Sequence, residues 1–431
     1  MDKFLTLVLA AYCFVVQFGT LFRYGSSEIA LGVSTLLALL ILLLGVNKIP
    51  GQIRQSTVFS WLAVLFGWFV LSSYLSPTGY LAAYYRLAQL ILYLAMAAAV
   101  CSWGCTEKRL RAITLSVAIG LLISSGLTII DYKGWVNVPR CNEFVAGDFM
   151  EEGSGSYVMQ AGGFFPRRTA MAAFFSLSAA MSLIMALTTR GWLGKSIYGA
   201  AGVCGILAIL LSHNRSGVLS IIAGVGAYLL FTKSISFNKR LKVISVSTVL
   251  GMGILVVAFT YFPDHVEVYK RKLPFLFPES SDHYSDSQSS SDSVRWQNLE
   301  SAFKSIASNP VGNGLGNVYN PERGYMNAHN SFTSLLWAGG AITLLWVIPF
   351  SISAFKLLFV NVNVPPNTAH YFDAFRFAMV GFFLHNMAHD SLGTGIFWIF
   401  LAAVISIRQQ EQQSLNTMQV YRYYPMAGHQ F

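Results

Sequence analysis

The chain has 431 residues, of which 54% are hydrophobic and only 11% are charged. Soluble domains carry about 25% charged residues, so this composition and a mean hydropathy of +0.53 exclude an ordinary soluble protein. The formal net charge of +10 is spread over loops between apolar segments, with no soluble basic domain, and this pattern excludes a nucleic-acid-binding protein.

Apolar segments of membrane-spanning length follow one another along most of the chain. A spanning helix needs about 20 mostly apolar residues, and the sequence offers about twelve such segments. They lie at residues 4–22, 29–46, 57–75, 81–100, 110–130, 169–187, 196–211, 217–231, 243–262, 332–355, 372–387 and 392–407. No convincing small-residue cleavage site follows the first segment, so we predict a retained span rather than a signal peptide. The sequence therefore predicts an all-α integral membrane protein.

The apolar segments divide the chain into membrane regions and loops. We predict helices 1–5 in residues 1–130, a first loop at 131–168, helices 6–9 in 169–262, a large loop at 263–331, helices 10–12 in 332–408 and a tail at 409–431. Within the large loop, residues 294–308 place Trp296, Leu299, Phe303 and Ile306 at helical spacing. This pattern predicts an amphipathic helix that lies on the membrane surface or caps a cavity.

Lysine and arginine residues fall in alternate short loops, as one consistent topology requires. Short loops that carry such residues stay in the cytoplasm. The groups are Lys48 with Arg54, Lys108 with Arg109 and Arg111, Arg190 with Lys195, and Lys233 with Lys239, Arg240 and Lys242. This pattern predicts a multi-pass protein of the bacterial inner membrane with both termini in the cytoplasm and the two long loops in the periplasm.

Conspicuous cationic and histidine residues then fall on the periplasmic side. They are Arg86, Arg167, Arg168, Arg215, Arg295 and His329. Charged groups near apolar spans mark functional sites, although an arginine near the interface also snorkels to lipid headgroups, and for any single arginine that role is at least as good an interpretation. We favour function for Arg215, since its short connector places it outside against the positive-inside bias. Guanidinium groups bind phosphate bidentately, so several of them facing one cavity indicate a lipid pyrophosphate or an anionic glycolipid.

Histidines lie at two points near the predicted outer membrane edge. His329 precedes the tenth segment, and a pKa near 6.5 suits proton abstraction from a sugar hydroxyl, although a lone loop histidine is more often structural. His385 and His389 are one helical turn apart and next to Asp390. This pair can ligate a metal, but no third ligand is evident, and we favour hydrogen bonding within the bundle. Asp390 is a candidate to orient His329 or a substrate hydroxyl.

The remaining motifs argue against metal or cofactor chemistry. Asp148, Glu151 and Glu152 in the first long loop either bind a divalent cation or are solvated, and we favour solvation. The sequence has no Asp-x-Asp motif, phosphate-cradling glycine loop, Gly-x-Ser-x-Gly elbow or His-Glu-x-x-His motif. We therefore predict neither a metal site nor a cofactor.

Several motifs together resemble those of the bacterial O-antigen ligase and O-antigen polymerase superfamily. Ser-His-Asn-Arg-Ser-Gly at 212–217 resembles its small-residue-flanked arginine. Ser-Val-Arg-Trp at 293–296, Ala-Phe at 302–303 and the glycine-rich run at 309–317 resemble its loop helix and turn. Ala-His-Asn-Ser-Phe at 328–332, followed by Ala-Gly-Gly at 338–340, resembles its His-Asn span start. The resemblance covers residues 211–398 in order and spacing.

The resemblance implies a GT-C-like helical fold and a metal-independent, inverting glycosyltransferase. Carried onto this chain, it implies that Arg215 and Arg295 bind the donor pyrophosphate, that His329 activates the acceptor hydroxyl, and that Asp390 matches an acidic position near the last span. Arg86, Arg167 and Arg168 are added from topology alone. Arginines that neutralise the leaving pyrophosphate can replace a divalent ion, which agrees with the missing Asp-x-Asp motif.

The superfamily has more than one branch, and the choice among them stays open. A ligase moves a glycan from undecaprenyl pyrophosphate to lipid A-core in lipopolysaccharide biosynthesis, and a polymerase extends the glycan on the same carrier. We favour the ligase because the chain is compact, with a single large periplasmic loop and no added soluble domain. A protein O-oligosaccharyltransferase ranks third.

The expected partners are the undecaprenyl-pyrophosphate-linked glycan, the lipid A-core acceptor and membrane lipids. A transporter or flippase for the same lipids is the alternative from another class.

Overall fold

The computed structural model describes most of the chain's helices. The described residues are 2–19, 23–25, 30–75, 81–136, 149–152, 157–160, 163–165, 168–232, 236–238, 240–242, 244–245, 253, 256, 260, 297, 299–315, 318–320, 324–326, 330–360, 364–389, 391 and 393–423. Most of the predicted span at 243–262 lies outside this set, and so does the Ser/Asp-rich stretch at 280–293 of the large loop.

Long helices make up nearly all of the described structure. They are α1 Asp2–Val15, α2 Val33–Gly45, α3 Ile49–Gln55, α4 Thr57–Leu75, α5 Leu81–Ser102, α6 Glu107–Tyr132, α7 Arg168–Thr188, α8 Trp192–Leu211, α9 Arg215–Phe231, α10 Ser331–Gly339, α11 Leu344–Phe359, α12 Pro366–Ala388 and α13 Gly395–Tyr423. Residues 299–308 are also helical. Among the described residues, 7 helices are long and apolar enough to cross a membrane. The chain is therefore a multi-pass membrane protein, while the count of about twelve spans and the GT-C-like arrangement stay predictions.

Three short antiparallel hairpins lie in the connections between the helices, and the bundle itself is helical as predicted. Strand β1 (Arg23–Gly25) pairs with β2 (Ala30–Gly32), β3 (Phe149–Glu152) with β4 (Tyr157–Gln160), and β5 (Val318–Asn320) with β6 (Gly324–Met326). Loop backbone groups need hydrogen-bond partners, and a hairpin supplies them locally. Glu151 and Glu152 of the predicted acidic group belong to β3, whereas Asp148 lies outside the described residues.

The antiparallel pair α9 and α12 defines two ends of the bundle. At one end, which we call the turn end, Ser216 of α9 meets His385 of α12. At the other, which we call the basic end, Thr232 after α9 donates a hydrogen bond to Asp373 of α12 over 2.7 Å. The 17 residues of α9 separate these contacts by about 25 Å, since a helix rises about 1.5 Å per residue.

Small residues bring α9 and α12 close together. A Cβ atom on Gly381 would lie 2.1 Å from the carbonyl oxygen of Ser220, and one on Gly224 would lie 2.8 Å from that of Phe377. Helices in a bilayer associate through such close backbone contacts because lipid gives no hydrophobic gain to their association. Glycines at these positions therefore fix the register that places His385 beside Ser216.

Buried cations mark the basic end. The guanidinium of Arg376 forms a 2.7 Å ion pair with Asp373, and both side chains are buried. Arg109 pairs with Asp2 and donates to the carbonyl oxygen of Trp103 over 2.7 Å. Arg190 lies in the α7–α8 connection, at the end of α8 opposite to the Ser212–Asn214 turn. Arg109 and Arg190, which belong to two of the predicted cytoplasmic loops, thus lie at the same end of the bundle, as the positive-inside pattern requires.

The predicted span at 332–355 is wrong as a continuous helix. Helix α10 ends at Gly339, Gly340 adopts φ 65°, and a 3-10 turn at Ala341–Thr343 leads into α11. Hydropathy does not detect this break, because apolar residues flank it on both sides.

Protein donors satisfy the carbonyl groups that the break exposes. The backbone N–H groups of Asn313 and Gly314 donate to the carbonyls of Trp337 and Ala338 over 3.0 and 2.9 Å. The Trp68 indole of α4 donates to the carbonyl of Gly339 over 2.8 Å. Irregular backbone at membrane depth persists only where such partners exist, so the 309–315 loop and α4 hold the break in place.

Other predicted boundaries also differ from the structure. Helix α1 ends at Val15 and a 3-10 turn runs only to Phe18, instead of one helix to residue 22. Helix α13 continues to Tyr423, well beyond the predicted end at residue 407. In the 299–308 helix, Ala302 and Ile306 are buried while Phe303 is 47% exposed. The side of this helix that packs on the protein therefore passes through Ala302, which contacts Trp337, and Phe303 lies outside that contact.

Candidate active site at the turn end

The connection between α8 and α9 presents Arg215 at the first position of a helix. Ser212, His213 and Asn214 are all buried, and His213 adopts a left-handed φ of 53° that reverses the chain. The Asn214 carboxamide oxygen caps α9 by accepting from the Gly217 N–H over 2.9 Å. A helix N-terminus carries partial positive charge, so the half-buried Arg215 begins a helix at a point that favours an anion.

A hydrogen-bonded relay joins this turn to the end of α12. The Ser216 hydroxyl donates to the Asn214 side-chain oxygen over 2.7 Å, and it lies 3.2 Å from Nδ1 of the fully buried His385. Because the single hydroxyl proton goes to Asn214, Nδ1 of His385 must carry the proton that bonds the Ser216 oxygen. The predicted role of His385 in hydrogen bonding within the bundle is confirmed.

The start of α10 is tied to the same end of α12. The Asn386 side-chain oxygen accepts from the Ser331 hydroxyl over 2.7 Å and from the Ser391 N–H over 3.0 Å, and its amide group donates to the carbonyl of Phe382 over 2.9 Å. Asn330 caps α10 through a 2.6 Å bond from the N–H of Thr333. Asn386 therefore connects three chain segments with all of its hydrogen-bonding groups in use.

Arg215, Arg86 and Arg168 are the predicted site residues that fall in the described structure. Arg86 is half-buried in the first turns of α5, and Gln89, one turn further on, lies next to Gly393 beyond α12. Arg168 begins α7, and only its backbone is described. The other predicted residues lie outside the described residues: Arg167, Arg295, His329 and Asp390.

The described neighbours of three predicted residues nevertheless meet at the turn end. Ser216 follows Arg215, Ser331 follows His329 by two positions, and Ser391 follows Asp390. Ser331 and Ser391 share Asn386 as a partner, and Ser216 contacts the adjacent His385. The folded chain thus joins the segments that carry Arg215, His329 and Asp390.

Asn386 is the residue of this region that the sequence analysis did not single out. A His-Asn pair in the last turn of an otherwise apolar helix is its only sequence signal.

Replacing Asn386 with leucine is expected to destabilise the protein by about 1–2 kcal/mol, because the Ser331 hydroxyl and the Ser391 N–H lose their buried acceptor. The apparent Tm in detergent, followed by tryptophan fluorescence, measures this change. Asn47→Leu, at an exposed position in the 3-10 turn between α2 and α3, serves as the control and should leave Tm unchanged. Equal Tm values for the two variants would contradict the connecting role of Asn386.

The comparison with known families falls on this region. Residues 200–348 match the family model described as O-Antigen ligase. The match confirms the resemblance to the O-antigen ligase and polymerase superfamily. It begins in α8, contains the Arg215 turn, the 309–315 loop and α10, and ends in α11. This O-antigen ligase family comprises glycosyltransferase-like enzymes of lipopolysaccharide and glycan assembly, which act on lipid-linked glycans and lipid acceptors. No curated protein matches the chain.

Proposed function

We propose that this protein is an O-antigen ligase-type glycosyltransferase that moves a glycan from undecaprenyl pyrophosphate to a lipid A-core hydroxyl at the periplasmic face of the inner membrane. The observation that carries the proposal is the hydrogen-bonded junction of Ser216, His385, Asn386 and Ser331 at the turn end. This junction joins the segments that carry the superfamily's arginine and histidine motifs, and the O-antigen ligase match spans both motifs.

Each candidate residue has a defined role in this transfer. His329 takes the proton from the acceptor hydroxyl as its oxygen attacks the anomeric carbon of the glycan. The bond from that carbon to the pyrophosphate breaks with inversion, and the electron pair leaves on the pyrophosphate. Arg215 and Arg295 neutralise the leaving charge, with Arg86, Arg167 and Arg168 as further phosphate ligands. Asp390 orients His329 or the hydroxyl.

The broken segment between α10 and α11 argues against the transporter alternative. Transporters use the freed carbonyl groups of broken helices as ligands for coupling ions near the midplane. Here the carbonyls of Trp337, Ala338 and Gly339 all accept hydrogen bonds from the protein itself. The break therefore supports the fold, and the transferase proposal places the cationic and histidine candidates at one end of the bundle instead.

A reconstituted transfer reaction tests the proposal and separates its alternatives. The purified protein in liposomes with an undecaprenyl-pyrophosphate glycan is expected to glycosylate lipid A-core at the same rate with and without EDTA. Gels of the lipid products measure transfer. Elongation of the glycan on its own carrier would identify a polymerase, and loss of transfer in EDTA would contradict the metal-independent mechanism. Movement of the lipid across the bilayer without any reaction would contradict the enzyme assignment.

A further inference from the structure

A large cavity lies at the basic end, on the opposite side of the bundle from the candidate active site. Its volume is about 1190 Å³, and residues of α6, α7, α8, α9 and α12 line it. Ligand cavities commonly have about 300–1,000 Å³, so this one accepts a headgroup together with the first part of an acyl chain. Of the residues assigned to glycan transfer, those that the structure describes lie outside its lining.

The charge of the cavity favours an anion. Among the residues that the structure describes, its lining carries three permanent cations, Arg111, Arg190 and Lys195, and one carboxylate, Glu107. Asn367 donates to that carboxylate over 3.4 Å, so part of its charge is already engaged within the protein. The three cationic side chains are exposed and come from three different segments, which leaves their donors available to one bound group.

The wall of the cavity favours a ligand with acyl chains. Leu115, Met185 and Ile197 line it beside the cations, and Leu193 on its rim is 60% exposed. Trp192, adjacent to that rim, is 78% exposed. Tryptophan and basic residues together are typical of the headgroup level of a bilayer. A free phosphate or a nucleotide would pair with the cations, but the apolar wall would add no binding free energy for it.

We propose that this cavity binds an anionic phospholipid, with the phosphate of the headgroup against Arg190 and Lys195 and the acyl chains along the apolar wall. Basic pockets between transmembrane helices on the cytoplasmic side bind such headgroups. Because α7, α8 and α12 meet in the cavity and also support the turn end, the lipid joins helices of the O-antigen ligase segment to α12.

Native mass spectrometry of the delipidated full-length protein in neutral detergent, titrated with phosphatidylglycerol, tests this site. The double variant Arg190→Ala/Lys195→Ala is expected to bind its first lipid roughly thirty-fold more weakly, since each cation near an anionic lipid contributes roughly fivefold in affinity. The control Lys48→Ala/Arg54→Ala removes the same charge from exposed positions outside the cavity and should keep wild-type affinity. The conservative variant Arg190→Lys should also keep most of the binding.

Two outcomes would overturn the lipid assignment. Equal weakening in the cavity variant and in the control would show that only general surface charge attracts the lipid. If inorganic phosphate displaces phosphatidylglycerol at equal concentration, the cavity recognises a free phosphoryl group and the apolar wall has no role. A wild-type Tm for the double variant excludes misfolding as the cause of lost binding.

Discussion

Glycan transfer is expected to fall about 10²–10⁴-fold when His329 is replaced by alanine, because a positioned general base contributes that much to rate. Arg215→Ala should reduce transfer by at least about a hundredfold, since the leaving pyrophosphate loses a charged bidentate donor. Gels of the lipid products from initial-rate reactions in liposomes measure both changes. Arg215→Lys should recover only part of the activity, because an ammonium group is a point charge without the planar fork.

Matched variants distinguish these roles from general damage. His429→Ala lies in the predicted cytoplasmic tail, and Arg54→Ala is exposed on α3, so both should retain wild-type transfer. The apparent Tm of each site variant in detergent shows whether the protein stays folded, and a folded variant is the one whose transfer rate is compared. Full activity of folded His329→Ala would remove that residue from the mechanism.

The second large effect is expected at the break between α10 and α11. A Cβ atom on Gly340 would lie 2.0 Å from the carbonyl oxygen of Pro310, and its φ of +65° is already unfavourable for other residues. Gly340→Ala should therefore destabilise the protein by about 3 kcal/mol or more, because the 309–315 loop must move away from α10. The apparent Tm in detergent and the yield of monodisperse protein report this loss.

Two other glycines provide the comparison for this change. Gly67 in α4 and Gly226 in α9 have no neighbouring atom within 4 Å of an added Cβ. Alanine at either position should be neutral or slightly stabilising, because helix interiors favour alanine over glycine by about 1 kcal/mol. A Gly340→Ala protein as stable as these two would show that the loop yields easily and does not hold the break.

The sequence predicted best where long apolar runs decide the structure. The predicted span at 57–75 coincides with α4, and the segments at 110–130 and 169–187 lie inside α6 and α7. Hydropathy suffices there because a bilayer forces a run of that length into a helix. The motifs between residues 212 and 340 likewise sufficed to name the superfamily, which the match at residues 200–348 confirms.

These sequence patterns could not predict contacts between distant segments. The bond from Trp68 to Gly339 joins residues 271 positions apart, and that from Ser331 to Asn386 joins residues 55 positions apart. Helical spacing placed Phe303 on the apolar stripe, but spacing alone does not tell that the side facing the protein passes through Ala302 against Trp337.

The sequence by itself thus determined that the protein is a multi-pass membrane protein, where most of its helices lie, and which superfamily its central segment resembles. These properties depend on local composition and spacing, which are complete in the linear chain. Only the tertiary structure decided that α10 and α11 are separate helices, that Asn386 joins the segments of the candidate active site, and that cations from three segments share one cavity at the basic end. Those features depend on which helix ends contact each other. The close packing of the whole bundle determines these contacts.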